Sequence, residues 1–332
     1  MMYYQSLRSD VLILKDRPIP LKILQNEALL PRLVPFHEIR PQIELDLKKR
    51  RAGFNGEKAV DYHLSFLTGK HYWLFHDIRL PLDPHYFQID TLLLTPYYAL
   101  IIEVKNISGI IRIDPQIKQC TRIYKDTTEG FIDPISQAKR QKHFLQKWLS
   151  LYKIPPMPIE YLVVISNPST TIEYNSRPEA GSPYLNIIHS QNVIDSIIEL
   201  NHSYQTSILP DKTLKKIKKL VLTLHEEAPS NCLQTYNLTK EDILPGVLCG
   251  HCGHLPSKRI INSWSCERCA KVSSNSHLNA INDYFLLIDK KITNQDLRTF
   301  LCLPSRKVAT LLLQKSGLVT NGQGKGTFYT KP

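Results

Sequence analysis

Four cysteines place the tightest constraint on what this chain can fold into. Cys249-Gly250-His251-Cys252 and Cys266-Glu267-Arg268-Cys269 are two CxxC turns thirteen residues apart. The segment around them, 246–272, is about 25 residues with almost no apolar core, so its folding energy must come from elsewhere. Two thiolates from each turn complete a tetrahedron around Zn²⁺, and Gly250 and Gly253 ease the turns. Four protein ligands close the shell, which predicts a small structural zinc ribbon and not a catalytic metal. His251 and His254 are spare and read as surface histidines. Cys120, Cys232 and Cys302 are isolated and read as small apolar packing residues. Lys258, Arg259, Arg268 and Lys271 make the module basic, which suits either a DNA or protein contact or a rigid spacer.

The remaining chain is long enough, at 332 residues, for two or three domains. The N-terminus lacks a signal-peptide pattern, and no apolar run approaches the ~18 residues needed to span a bilayer. With seven cysteines, four of them in CxxC pairs, these features predict a cytoplasmic protein with reduced thiols and no membrane partner. The net charge is +12, gathered in clusters such as Lys48-Lys49-Arg50-Arg51, Lys139-Arg140 with Lys142, and Lys215-Lys216 with Lys218-Lys219. Each cluster alone fits a solvated helix face; their sum favours a polyanion, bound through phosphates.

Pattern reading divides the chain into an N-terminal arm (1–44), an α/β domain (45–205), a basic helix and linker (206–245), the cysteine module (246–272) and a tail (279–332). The arm carries one short helix near Leu21–Leu33. From Ile43 to Leu67 the period is helical, with Leu45, Val60, Leu64 and Leu67 as a buried stripe that Gly53 and Gly56 interrupt. Three strands follow, Tyr72–Leu80, Phe87–Thr95 and Ala99–Val104, the last two turning at Pro96-Tyr97 into an antiparallel pair. Ile110–Ile113 and Gln119–Tyr124 continue that sheet. Asp133-Pro134 opens a helix to Leu151. Tyr161–Ser166 is apolar enough to be a strand covered on both faces. Helices over Val193–Leu200 and 212–227 complete the pattern, the second basic and amphipathic.

Within the third strand, alternation puts Glu103 and Lys105 on one face and Ile102 and Val104 on the other. Asp90 starts the apolar run of the strand before it, so a hairpin turning near Pro96 can put Asp90 and Glu103 on neighbouring strands. Charges in apolar strands are costly unless paired or metal-bound. Two close carboxylates suit Mg²⁺ or Mn²⁺, and a nearby lysine supplies the remaining need of phosphodiester hydrolysis. A Glu-x-Lys pair on a strand is equally a surface ion pair.

Taken in order, Gly53-Phe54-Asn55-Gly56-Glu57-Lys58, Gln88-Ile89-Asp90, Ile102-Glu103-Val104-Lys105-Asn106 with Gly109, then Pro134 and Gln137 resemble the nuclease-related domain (NERD) family over about 50–165. That resemblance implies a restriction-endonuclease-like fold, a mixed sheet flanked by helices, and the PD-(D/E)xK chemistry of its superfamily. It makes Asp90 and Glu103 the metal ligands and Lys105 the residue that assists the attacking water. Glu57 becomes an acidic residue that joins the metal through water, and Gln137 a glutamine facing the site. Ile89 stands where the superfamily has proline, which leaves activity more open than membership. Glu57 also reads as an ordinary helix charge, and Gln137 as a helix-cap partner.

Thr293 with Asp296 forms a capping box for a helix to Leu301, and Ser305 caps a second helix, Arg306–Lys315, whose inner face is Val308, Leu311 and Leu312. Gly317 stops it, and the residues to Tyr329 read as a hairpin. The layout resembles a winged helix-turn-helix, with Arg306, Lys307, Thr310 and Gln314 facing a major groove and Lys325 on the wing. A protein-docking helical unit fits the same pattern. The glycine-rich loop at 322–326 lacks nucleotide-binding spacing. The expected function is Mg²⁺-dependent hydrolysis of DNA, the alternative a DNA-binding regulator or adaptor with an inactive nuclease fold. Charge does not separate DNA from RNA, and nothing here sets the oligomeric state.

Overall fold

The computed structural model describes residues 11–68 and 72–332, with Lys325 as backbone only. It forms two compact units. One holds the residues up to Pro18 together with Ala52–Ala228; the other holds Ile19–Arg51 and Pro229–Pro332. Pattern reading draws linear boundaries, whereas each unit is assembled from segments far apart in sequence. The division falls inside one continuous helix, Arg40–Leu64.

In the first unit the strands are β1 (Val11–Lys15), β2 (Tyr72–Leu82), β3 (His85–Leu94), β4 (Ala99–Lys105), β5 (Ile110–Asp114), β6 (Gln119–Tyr124), β7 (Thr127–Phe131), β8 (Ile159–Ile165), β9 (Thr171–Tyr174) and β10 (Ile187–His189). A six-stranded mixed sheet has the order β1-β2-β3-β4-β8-β10. Its β2, β3 and β4 are antiparallel neighbours, and β1, β8 and β10 pair parallel to theirs. The turn at Pro96-Tyr97 is held by Thr95, whose hydroxyl oxygen accepts from the N–H groups of Tyr97 and Tyr98.

The segments 110–113 and 119–124 do not continue this sheet. They form a second one, β7-β6-β5-β9. The free edge of β4 is taken by β8 from Ala99↔Ile159 to Lys105↔Ile165, leaving no ladder for β5 to join. Helices cover both faces of the large sheet. Ile135, Ala138, Leu145 and Trp148 of the helix Pro134–Leu151 pack with Leu92, Ile101 and Val163, joined by Leu214 and Ile217 of the helix Asp211–Leu224. On the other face Val60, Leu64, Val193 and Ile197 pack with Leu93, Leu100 and Ile102. Burial on both sides explains why β4 and β8 are nearly continuous apolar runs.

Two local features orient the helices. Asp133 caps Pro134–Leu151, accepting from the N–H groups of Ile135 and Ser136, while Pro134 occupies the first turn at no cost in hydrogen bonds. Gly56 does not interrupt the helix Arg40–Leu64; it lets the helix approach the sheet. A Cβ there would lie 2.7 Å from Asn106 Cβ and collide with the Ser166 hydroxyl. Leu45 is exposed and outside the expected stripe, with Ile43 buried in its place.

In the second unit Leu29, Leu33, Ile43, Val247, Trp264, Tyr284, Leu297 and Leu313 share one core. The helix Leu21–Leu29 ends in a 3-10 turn that delivers Arg32, fully buried, onto Asp283 at 2.9 Å and over the Phe300 ring. The arm is thus structural filling for this unit. The cysteine segment carries β11 (Lys258–Ile260), β12 (Ser263–Ser265) and β13 (Val272–Ser273). Beyond it the order is helix Ser276–Leu287, β14 (Lys291–Thr293), helix Asn294–Leu301, helix Arg306–Lys315, β15 (Val319–Asn321) and β16 (Phe328–Thr330), with the sheet β14-β16-β15. Thr293 and Asp296 form the expected capping box, and Ser305 accepts from the N–H of Val308. The inner face of Arg306–Lys315 is Ala309, Leu312 and Leu313, with Val308 partly buried against the same core; of the expected set, Leu311 is exposed. Cys120 and Cys232 are buried, whereas Cys302 is exposed at a helix end with φ of 56°.

Candidate functional site

The centre of the large sheet contains a break in its own ladder. Between the pairs His76↔Thr91 and Ile78↔Ile89 of β2 and β3 the register is unchanged but Asp77 and Asp90 do not pair, and Asp77 takes a left-handed φ of 49°. The freed carbonyls are satisfied by side chains. Lys15 Nζ donates to the carbonyls of His76 and Asp77, and the Arg17 guanidinium donates to that of Asp90 at 3.0 Å. Asp90 is released from ladder geometry and turns its carboxylate toward β4, where Oδ2 accepts from the N–H of Val104 at 2.9 Å.

Glu103 lies on the same stretch of β4 and is 1% exposed. Its Oε1 accepts from Lys105 Nζ at 2.7 Å and from Gln137 Nε2, and its Oε2 accepts from Gln141 Nε2 at 2.6 Å. Lys105 also donates to Gln137 Oε1 at 3.0 Å. Strand alternation and the cap on Pro134–Leu151 explain the convergence: one sheet face presents Glu103 and Lys105, and the first turns of that helix present Gln137 and Gln141 to them. Gln141 escaped sequence reasoning, although it stands one turn beyond Gln137 on the same helix face.

Burial, together with the charges of Glu103 and Glu57, pushes the Asp90 carboxyl up to about 8, against the lowering pull of the Val104 N–H and Lys105. A carboxylic acid with that affinity for a proton has an equal electrostatic reason to take a cation. Gln141 Oε1 is buried and has no hydrogen-bond partner among the described residues. Two crowded carboxylates beside an orphaned amide oxygen are hard-oxygen donors of the kind Mg²⁺ and Mn²⁺ take, so the residues present fit such an ion.

Glu57 sits apart from this hydrogen-bonded group. Its Oε2 accepts from Arg17 at 2.6 Å, within a buried cluster that includes Asp61, His76 and Thr91. Burial keeps the Glu57 carboxyl above the usual range in spite of Arg17, and burial also holds His76 neutral by lowering its affinity for a proton.

In the second unit the sulfurs of Cys249, Cys252, Cys266 and Cys269 all lie within 4.8 Å of one another, a group able to hold a metal ion and consistent with a zinc ribbon. The group includes neither His251 nor His254. Each knuckle closes with a backbone turn, Gly253 N–H to Cys249 carbonyl and Ala270 N–H to Cys266 carbonyl, both through a left-handed residue. Backbone N–H groups of Cys252 and His251 lower the Cys249 thiol to about 6, while, against the lowering pull of the Lys271 N–H, burial and hydrogen bonds with the neighbouring thiols push the Cys269 thiol up to about 12. On the helix Arg306–Lys315, Arg306, Lys307 and Gln314 are exposed. Thr310 is turned inward, its hydroxyl accepting from Asn294 at 2.8 Å. Lys325 lies in the turn Gly324–Gly326; its side chain lies outside the described residues.

Fold and geometry define a class: a mixed α/β domain whose central strands carry two carboxylates and a lysine under a helix that contributes two glutamines. Within that class, residues 52–166 match the model of the nuclease-related domain (NERD) family. No curated protein and no solved structure matches the chain. Among the described residues no helix is long and apolar enough to cross a membrane.

Proposed function

We propose that the NERD domain hydrolyses phosphodiester bonds of DNA with Mg²⁺ or Mn²⁺. The observation that carries this reading is the convergence of the buried Glu103 with the half-buried Asp90, Lys105 and Gln137. Asp90 and Glu103 would hold the ion, which when bound supplies charge stabilisation at a phosphoryl oxygen and a more acidic water. Lys105, half-buried beside Glu103, would orient the attacking water and offset charge on the phosphate. Gln137 fixes the lysine by accepting its second hydrogen bond. Gln141 holds the far oxygen of Glu103, leaving the carboxylate one orientation.

The other modules are read as DNA contacts. Helix, strand, two helices and a two-stranded hairpin, in a three-stranded sheet, support a winged helix, with Arg306, Lys307 and Gln314 exposed on its second long helix. Thr310 is better placed to orient that helix than to touch a base. The four thiols support Zn²⁺ in a structural ribbon and a reducing, cytoplasmic setting.

Incubation with plasmid and linear DNA plus Mg²⁺ or Mn²⁺ tests the proposal. Asp90→Asn or Lys105→Ala is expected to cut cleavage by on the order of 10²-fold or more; cleavage that survives either change removes the assignment. One observation favours a second reading, a DNA-binding adaptor on an inactive nuclease fold: both Glu103 oxygens already accept hydrogen bonds from protein. That reading gives salt-sensitive DNA binding and no hydrolysis with any metal, and RNA competition separates the two nucleic acids.

A further inference from the structure

Arg17 lies outside the family match, two residues beyond the end of β1, and its side chain is 3% exposed. Burying a guanidinium this deeply costs several kcal/mol unless every donor is used. Here the fork is spent on five groups. Nε and NH2 grip the two oxygens of Asp61 at 2.8 and 3.0 Å, and NH1 grips Glu57 at 2.6 Å. NH2 also reaches the Asp90 carbonyl at 3.0 Å and the Thr91 hydroxyl at 2.8 Å. The partners come from β3 and the helix Arg40–Leu64, and His76 of β2 lies against the same nitrogen. A buried ion pair serving stability alone has no need to take the one backbone carbonyl that the ladder break frees beside the site.

We propose that Arg17 is the positioning residue of the Asp90–Glu103 centre and the resident cation of its acidic flank. It fixes the Asp90 backbone at the break in the ladder and ion-pairs with both Glu57 and Asp61, cancelling one of their two charges and occupying the space between them, so that the centre takes a single divalent ion. A second ion at Glu57 would have to displace the NH1 of a guanidinium that Asp61 grips bidentately, or sit against its charge. The segment that follows β1 is thereby part of the site, although it precedes the family-matched residues 52–166. The inference rests on the metal-binding reading of Asp90 and Glu103 given above.

The test is Mn²⁺ binding to the full-length, zinc-loaded chain without DNA, counted from the free Mn²⁺ resonance in electron paramagnetic spectra. Zinc in a thiolate site is not displaced by Mn²⁺. The wild type is expected to bind one Mn²⁺, lost in Asp90→Asn. Arg17→Met is expected to weaken that ion on the order of 10- to 100-fold, as removal of a group that orients a ligand does. Arg17→Lys, which keeps the charge but loses the fork, is expected to fall between, and it serves where the methionine variant does not fold. A purely structural role would lower the unfolding temperature and leave the affinity of the folded chain unchanged. Wild-type affinity in both Arg17 variants, or two Asp90-dependent ions in the wild type, overturns the inference while the metal reading stands. A wild type with no Asp90-dependent ion overturns both.

Discussion

Asp90 shows how one residue can be visible in sequence and still owe its chemistry to its surroundings. An aspartate at the head of an apolar strand is legible; that its ladder pair is broken and its carbonyl handed to Arg17 is not. The consequence is a testable pH dependence. An unfolded aspartate titrates near ~4, while the folded Asp90 carboxyl is raised to about 8 by burial and by its acidic neighbours. The folded chain therefore holds the extra proton between these values. In the absence of a divalent ion, stability attributable to Asp90 is fully present below pH ~4 and is lost as pH rises through about 8. Thermal unfolding across that range is expected to show the decline in the wild type and a flatter profile in Asp90→Asn. Identical profiles would mean that Asp90 does not carry the buried proton. Arg17, Asp61 and His76 left no signal in sequence, because their meeting joins positions dozens of residues apart with no shared motif.

Among the elements, strands β2, β3, β4 and β8 and the helix Pro134–Leu151 were legible because apolar period, a turn proline and a capping aspartate agree with one another. The errors share a cause. Glycine reads as a gap in an apolar stripe, yet Gly56 is buried within the helix where a neighbouring strand end leaves no room for a Cβ. Replacing it with alanine gains about 1 kcal/mol of helix propensity but forces a clash with Asn106 and Ser166. The net expectation for Gly56→Ala is a loss of about 1–3 kcal/mol, readable from urea unfolding; an unchanged or higher midpoint would show that the helix can move aside. Likewise β5 and β6 look like further strands of the first sheet, since strand pattern records a face and not a partner, and β8 had already taken the edge.

At the scale of the whole molecule, the thiol cluster is tied to more than its own loop. Val247 and Trp264, within the same segment, belong to the core that also holds Leu29, Ile43 and Leu313. Zinc loss should therefore weaken that unit and not only the ribbon. Metal analysis is expected to find about one zinc per chain, and chelation is expected to lower the thermal midpoint of the unit containing the cysteines. Zinc content well below that level, or a chelated protein that unfolds unchanged, contradicts a structural site. The sequence by itself determined the parts whose physics is local: the cysteine spacing, the strand alternation that pairs Glu103 with Lys105, and the helix caps. Only the tertiary structure decided which segments share a core, that the N-terminal arm is split between two units, and that Arg17 fills the acidic flank. Those outcomes depend on burial and on hydrogen bonds between distant residues. Their energies exist only once the chain has closed over them.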